Sequence, residues 1–385
     1  MSKQICRNFP HRRKRGFSLP KLPMLARVEV IRSMELAERL RLSLTSTRMR
    51  FYVKEAKTSF RLPEITVENG FARVKTEKDK FEVFCDTYGF KINKKRLYLI
   101  SNSLVSNISY LLHHIQKTFS TGYFTLTLQK NIPKVLIKEI HSDPVLMKWS
   151  LFIVKNQKVN TEDLNLIMEK TDKNKTISFL NTELPPFFRH KNVFKFGVMD
   201  YEDARWVHLE DLISIRHTTN ILLGTNYLTS VDVTYFLQYW FRADEDMFLW
   251  MDLHLNPDVQ LDKVLAGKVV LENVYQNHAV FFTLSTSSSG NRKYPLLGME
   301  LYSENMRLTA WGADEPFTPD HERVEQFGKE YDILVLLERK RQLEACLAWY
   351  NFGRESMYSE LAFIDQRLKS MNVRFIDGVA TITHD

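Results

Sequence analysis

The chain of 385 residues is 44% hydrophobic and 12% aromatic, enough apolar mass for a substantial folded core rather than a disordered polymer. Its net charge of +8 is unevenly placed: residues 1–58 hold 15 Lys and Arg against 4 Asp and Glu, and the remainder holds 39 against 42, so the body is near neutral and has no overall nucleic-acid footprint. Three scattered cysteines, Cys6, Cys85 and Cys346, suit a reducing intracellular compartment rather than a disulfide framework, and the longest aliphatic run, Ile333 to Leu337, is far too short to span a membrane.

In chain order, residues 1–16 form a basic tail without the apolar stretch of a secretory signal. His11-Arg12-Arg13-Lys14-Arg15 suits a nuclear address, a phosphate-binding arm or a solubilising tail. Residues 17–57 then compress three short helical patterns. Pro23 fits a helix first turn, and Met24, Val28 and Ile31 follow at i, i+4 and i+7. Leu36 and Leu40 mark a second helix, and Ser46 is the N-cap expected for a third containing Met49, Val53 and Ala56. This is more apolar surface than so small a unit can bury against itself, which fits either a docking module or a helical cap on a larger domain.

Residues 58–270 read as a βα domain. A hairpin is expected about Asn69-Gly70, strands at Phe81–Cys85 and Leu97–Ile100, and an amphipathic helix from Asn102 to Phe119. Tyr123–Gln129 alternates, which predicts a strand with Phe124, Leu126 and Leu128 buried and Thr125 and Thr127 outward. A helix at Val135–Ile140 and a strand at Trp149–Val154 follow. Two units then echo each other: a strand, a cap at Asn160 or Thr229, and an acid three residues on at Asp163 or Asp232, with strand Thr176–Leu180 between them. Such units bury their apolar faces only against one another, so an irregular leucine-rich-repeat-like stack is expected, and a globular α/β sheet satisfies the same pattern. Residues 271–385 form a C-terminal extension with a Ser-rich loop at 285–290, a long helix from about Asp320 to Tyr350, a turn at Gly353, and a closing strand.

These stretches resemble a known family. Leu19-Pro20-x-Leu22-Pro23, followed by Val28, Ile31, Met34, Leu36, Leu40 and Leu42-Ser43-Leu44-Thr45-Ser46, is similar to an F-box of the nematode type, although Arg27 and Arg32 make it unusually basic. Behind it, Trp206-Val207-His208-Leu209, Leu228-Thr229-Ser230-x-Asp232 and Phe236-Leu237-x-x-Trp240 resemble the core of a type 2 F-box-associated domain, and Arg374 to Ile382 resembles its closing element. The resemblance implies a three-helix F-box that docks on the Skp-type adaptor of a cullin-RING ubiquitin ligase. Leu19, Pro20, Leu22, Pro23, Val28, Ile31, Leu40 and Leu44 would supply the contacts or the packing beneath them. The βα domain would present an unidentified protein substrate, with no catalytic residue and no cofactor. The alternative is a nucleic-acid-associated protein working through its basic tail.

No phosphate loop, G-x-S-x-G elbow or C-x-x-C pair is present. Asp244-Glu245-Asp246, between a helix and a strand, is expected to be a solvated turn. His113 and His114 point to different faces of one helix and fit surface or packing roles, as do the scattered His208, His254, Asp252 and Asp258. Trp206 and Trp240 suit the core. Phe248, Trp250, Asp252 and His254 share one face of a strand and form the expected partner-contact row.

Overall fold

The computed structural model describes residues 18–57, 59–60, 63–76, 81–92, 95–98, 103–130, 132–255, 259, 261–275, 278–286, 291–302, 304–312, 327–349 and 354–383. The basic tail, Asp258, residues 287–290 of the Ser-rich loop, the expected helix start at Asp320 and Gly353 lie outside them. The protein is mixed α/β. Its contacts form two compact units, one of residues up to Ile65 with Gly70–Phe124, the other of Thr66–Asn69 with residues from Thr125 onward. The sequence boundaries at 57 and 270 therefore differ from the structural ones.

The first unit opens with a 3-10 turn at Leu19–Lys21 and helices α1 (Met24–Ser33), α2 (Leu36–Thr45) and α3 (Thr47–Glu55). Ser46 caps α3 by accepting from the Met49 N–H, as its position predicts. Strands β1 (Ser59–Phe60), β2 (Glu64–Glu68, of which Thr66–Glu68 belong to the second unit), β3 (Phe71–Thr76), β4 (Phe81–Asp86), β5 (Gly89–Ile92) and β6 (Lys95–Tyr98) follow, then α4 (Leu104–Thr118) and β7 (Ser120–Thr121). Between β2 and β3 the chain turns at Gly70, whose φ of +86° costs a glycine little. β3 to β6 pair as an antiparallel meander, and α4 packs on it with Ile108, Leu111, Leu112 and Ile115 buried. The same helix packs on α2 and α3, so the three N-terminal helices are closed by a fourth. Ser43 Oγ donates to Leu40 O at 2.7 Å and faces His114 Nε2 at 2.7 Å. With its proton committed, the hydroxyl accepts, which assigns the Nε2–H tautomer to a neutral His114.

In the second unit the strands β8 (Thr125–Gln129), β9 (Leu151–Lys155), β10 (Thr176–Leu180), β11 (Val198–Asp203), β12 (Thr218–Thr225) and β13 (Phe248–His254) run parallel, each beside its predecessor in sequence. Helices α5 (Lys134–Ser142), α6 (Thr161–Lys170), α7 (Leu209–Ile213) and α8 (Ser230–Arg242) occupy four of the five connections. Asn160 and Thr229 cap α6 and α8 by accepting from the N–H of Asp163 and Asp232, the arrangement expected from the two echoing segments. Register puts Leu126, Phe152, Ile177, Met199, Ile221 and Met251 in one row, all buried. Each such side chain contributes about 1.5–3 kcal/mol of burial. β8, β9 and β10 each end at a left-handed residue, Lys130, Asn156 and Asn181, a geometry that asparagine tolerates better than most. The repeat therefore begins earlier than the two echoing segments suggested. Thr127, expected outward, is buried like its neighbours Leu126 and Leu128.

After a short helix α9 (Leu261–Val264) come β14 (Leu271–Tyr275), β15 (His278–Leu284), β16 (Leu296–Tyr302) and β17 (Asn305–Trp311), an antiparallel meander that the sequence reading missed. It extends the parallel sheet, because β17 pairs antiparallel with β13. The expected long helix is present as α10 (Gly328–Trp349), and a second helix, α11 (Arg354–Ser370), forms a hairpin with it. The hairpin covers β14 and β15 through a core of Phe282, Trp311, Phe327, Leu334, Leu337 and Ile364. The chain closes with β18 (Val373–Ile376) and β19 (Val379–Ile382), joined by a tight turn with positive φ at Asp377 and Gly378, and β19 pairs with β14.

Two measurements test this packing. A Cβ on Gly224 would stand 2.3 Å from the Glu202 carbonyl oxygen on the neighbouring strand, a clash no rotamer change relieves. Gly224→Ala is expected to lower unfolding free energy by about 1–3 kcal/mol in a urea titration, and an unchanged midpoint contradicts the register. For His114, burial first, then the charges of Arg50 and His113, lower the pKa from 6.5 to about 4. The unfolded chain thus takes up a proton at a higher pH than the folded unit, and stability present at neutral pH drains away as pH falls from 6.5 to about 4. Urea unfolding in steps through that window should follow this decline, with a flatter profile for His114→Gln.

Candidate functional site

Each strand of β8 to β13 turns alternate side chains away from the helices, so the buried row has a partner row on the open face. There the register aligns Ser178, Asp200, Leu222 and Asp252, and then Arg307 and Glu300 across the antiparallel strands. A second row aligns Thr176, Val198, Asn220, Trp250 and Thr309. Of the row expected from sequence, the structure brings Trp250, Asp252 and His254 onto this face, half-buried. Phe248 does not belong there: it is 1% exposed and stacks on Phe236 of α8 with centroids 6.1 Å apart. As the first residue of β13 it packs against the middle of α8, which overrides strict alternation.

The open face is wired by charge. Arg307 donates from Nε to Asp252 Oδ1 at 3.0 Å and from Nη2 to Oδ2 at 3.3 Å, and its guanidinium lies 5.2 Å from the Trp250 ring and 5.0 Å from the Tyr302 ring. Tyr302 donates its hydroxyl to Glu300. Burial, together with Glu300, pushes that hydroxyl up to about 12, so it remains a donor at neutral pH. His254 Nδ1 faces Asn305 Oδ1 at 3.2 Å. Asp200 accepts from Ser178 Oγ at 2.8 Å. Burial raises its pKa, Ser178 opposes the rise, and Glu202, two residues on, adds to it. Asp200, Glu300, Tyr302 and Arg307 were missed by sequence reasoning, although the alternation of Val198, Asp200 and Glu202 and of Met306, Leu308 and Ala310 carried the signal.

At the carboxyl ends of β9 to β12 the open face runs into a cleft of about 610 Å³, lined by residues that include Asn156, Lys158, Asn181, Glu202, Arg205 and Thr225. This is where ligands sit in parallel sheets. Its charges are largely satisfied by neighbours: Lys158 reaches Glu183 at 2.7 Å, Arg205 grips Asp203 at 2.8 and 2.7 Å, and Asn181 N–H donates to Glu202. What remains is a set of amides and carboxylates suited to recognising polar groups.

Other singled-out residues are structural. His208 caps α7, its N–H donating to Asp211 at 2.9 Å. Trp206 and Trp240 are buried. The Asp244–Asp246 segment is more than a solvated turn: Asp246 accepts from the N–H of Lys293 and Tyr294, beside Arg292, whose guanidinium lies 3.7 Å from the Trp240 ring and donates to Trp240 O at 2.6 Å. Burial and nearby Asp86 push the Cys85 thiol up to about 12, which leaves it unreactive. Among the described residues no group of three His, Cys, Asp or Glu could hold a metal, and no helix is long and apolar enough to cross a membrane.

In the first unit, Leu19, Ile31 and Leu40 are buried and hold the helices together, while Pro20, Leu22, Val28 and Leu44 are half-buried and Pro23 is exposed. Three apolar side chains that the sequence reading left out of the contact set face solvent: Met24 at 58%, Leu25 at 81% and Phe51 at 56% exposure. Arg27, odd for such a segment, donates to Pro20 O at 3.2 Å and Leu22 O at 2.7 Å and lies 3.9 Å from the Tyr52 ring. Arg32 donates to Ala56 O at 3.2 Å. Both cations are used to fasten the segment.

Comparison of the chain with family models, with curated proteins and with solved structures finds no match.

Because burial raises Asp200's pKa, ionising it opposes folding. That cost is full above the folded pKa and vanishes below the ordinary carboxylate range. Asp200→Asn is therefore expected to raise the melting temperature at pH 7, with the gain shrinking as pH falls through the carboxylate range. A melting temperature lowered at neutral pH overturns this view of the face.

Proposed function

We propose that this chain is a substrate-recognition adaptor of a Skp–cullin–F-box ubiquitin ligase, acting inside the cell. The helical segment from Leu19 to Glu55 docks on the Skp-type adaptor, and the open face of a leucine-rich-repeat-like βα sheet holds a protein substrate. The observation that carries the reading is the solvent-facing apolar set Met24, Leu25 and Phe51, on a segment whose own core is already closed. Exposed apolar side chains beside the half-buried Leu22 and Val28 suit a permanent protein contact. Its sequence likeness to an F-box supplies the kind of partner. The half-buried Trp250, backed by the Asp252–Arg307 pair, suits an anchor in a substrate-binding surface.

Substitutions at buried Leu19, Ile31 or Leu40 would test folding rather than docking, so the informative changes are at exposed positions. Skp-type adaptor is expected to co-precipitate with the wild-type chain and to be lost with Met24→Asp/Leu25→Asp, while circular dichroism stays unchanged. Equal recovery with both, or none with either, sinks the proposal.

A further inference from the structure

A second groove, of about 350 Å³, lies between α10, the residues leading into β14 and the β18–β19 hairpin. Its floor is apolar, made by Val269, Val270, Leu337 and Ala380, with exposed Phe375 at the rim. Its walls carry three cations, Lys268, Lys340 and Arg341, against one carboxylate, Glu344. Leu337, Lys340, Arg341 and Glu344 recur along one face of α10, and Lys268 stands opposite, after the turn at Gly267. Arg341 donates to Gly267 O at 2.8 Å, which holds the helix against that turn.

The charges do not cancel. Arg341 pairs with Glu338 at 2.7 Å, and Lys340 pairs with Asp365 at 2.6 Å and Glu344 at 4.0 Å. Lys268 and neighbouring Arg242 have no carboxylate partner among the described residues. The Lys268 ammonium sits 4.1 Å from the Phe241 ring. Burial lowers its pKa, Arg242 and Arg341 push the same way, and only Glu338 opposes them. A cation held among cations at the mouth of an apolar groove is relieved by an anion placed there.

We propose that this groove binds an acidic peptide segment, seating an apolar side chain on Val269, Leu337 and Ala380 and a neighbouring carboxylate or phosphate on Lys268. The occupant follows from the charge complementarity and the mixed lining: an inorganic anion leaves the floor uncovered, and a purely apolar segment leaves Lys268 uncompensated. The inference does not depend on the adaptor reading, since the groove and the docking helices share no residue.

Fluorescence polarisation with the full chain tests it, using a labelled peptide of alternating leucine and glutamate and its glutamine counterpart. The glutamate peptide is expected to bind, more weakly as salt rises, and the glutamine peptide to bind at least about tenfold more weakly. Lys268→Glu should abolish the difference, Lys268→Arg should preserve it, and Phe375→Ala should weaken both peptides. Lys268 is a partly exposed loop residue, so a melting curve separates lost binding from lost fold, and retention by Lys268→Arg separates charge from packing. Equal binding of the two peptides, no binding of the glutamate peptide, unchanged affinity in Lys268→Glu, or retention on anionic vesicles in place of the peptide each overturns the proposal.

Discussion

Register is the constraint on which the second unit rests. The buried row from Leu126 through Phe152, Ile177, Met199 and Ile221 to Met251 continues into Leu308 and Met299 on the antiparallel strands, so one line of side chains joins parallel and antiparallel parts of the sheet. A slip of one residue in any strand would send its apolar set to the open face and bring Asp200 or Asp252 into the core. Burial of the row therefore dictates the polar face as well: the residues that alternate with it along each strand have nowhere else to go. The open face is a consequence of the core, and its chemistry is whatever the alternation leaves there.

What it leaves is a set of polar groups held by one another. Asp252 is aligned by Arg307, Arg307 lies against Trp250 and Tyr302, and Asp200 leans on Ser178. Such pairs hold one another's side chains in fixed orientations. The first unit uses its cations similarly. Arg27 and Arg32 fasten the segment before α1 and the end of α3, so their charge serves internal carbonyls, and the apolar residues beside them remain exposed.

Much of this was legible in the linear pattern. The caps at Ser46, Asn160 and Thr229, the helices of residues 24–55 and 104–118, and the strands from Tyr123 to Leu180 follow from local chemistry that acts within four or five residues. The antiparallel meander of β14 to β17 was not, because its pairing partner, β13, is distant in sequence and strand pairing at that range leaves no local pattern. Phe248 was misplaced because alternation assumes two uniform faces, and at the start of β13 this side chain packs on α8 instead.

By itself the sequence determined the first helices, most of the parallel strands and the residues that cap α3, α6 and α8, and that an apolar excess is concentrated in the first helices, since propensity, capping and period are local properties. Only the tertiary structure decided that Arg307 meets Asp252, that Leu19, Ile31 and Leu40 lie inside while Met24 and Leu25 face solvent, and that Lys268 stands beside Arg341 and Arg242. Those are encounters between residues far apart in the chain or facing different ways around one helix, and they depend on how many neighbours claim each face, a quantity no local pattern contains.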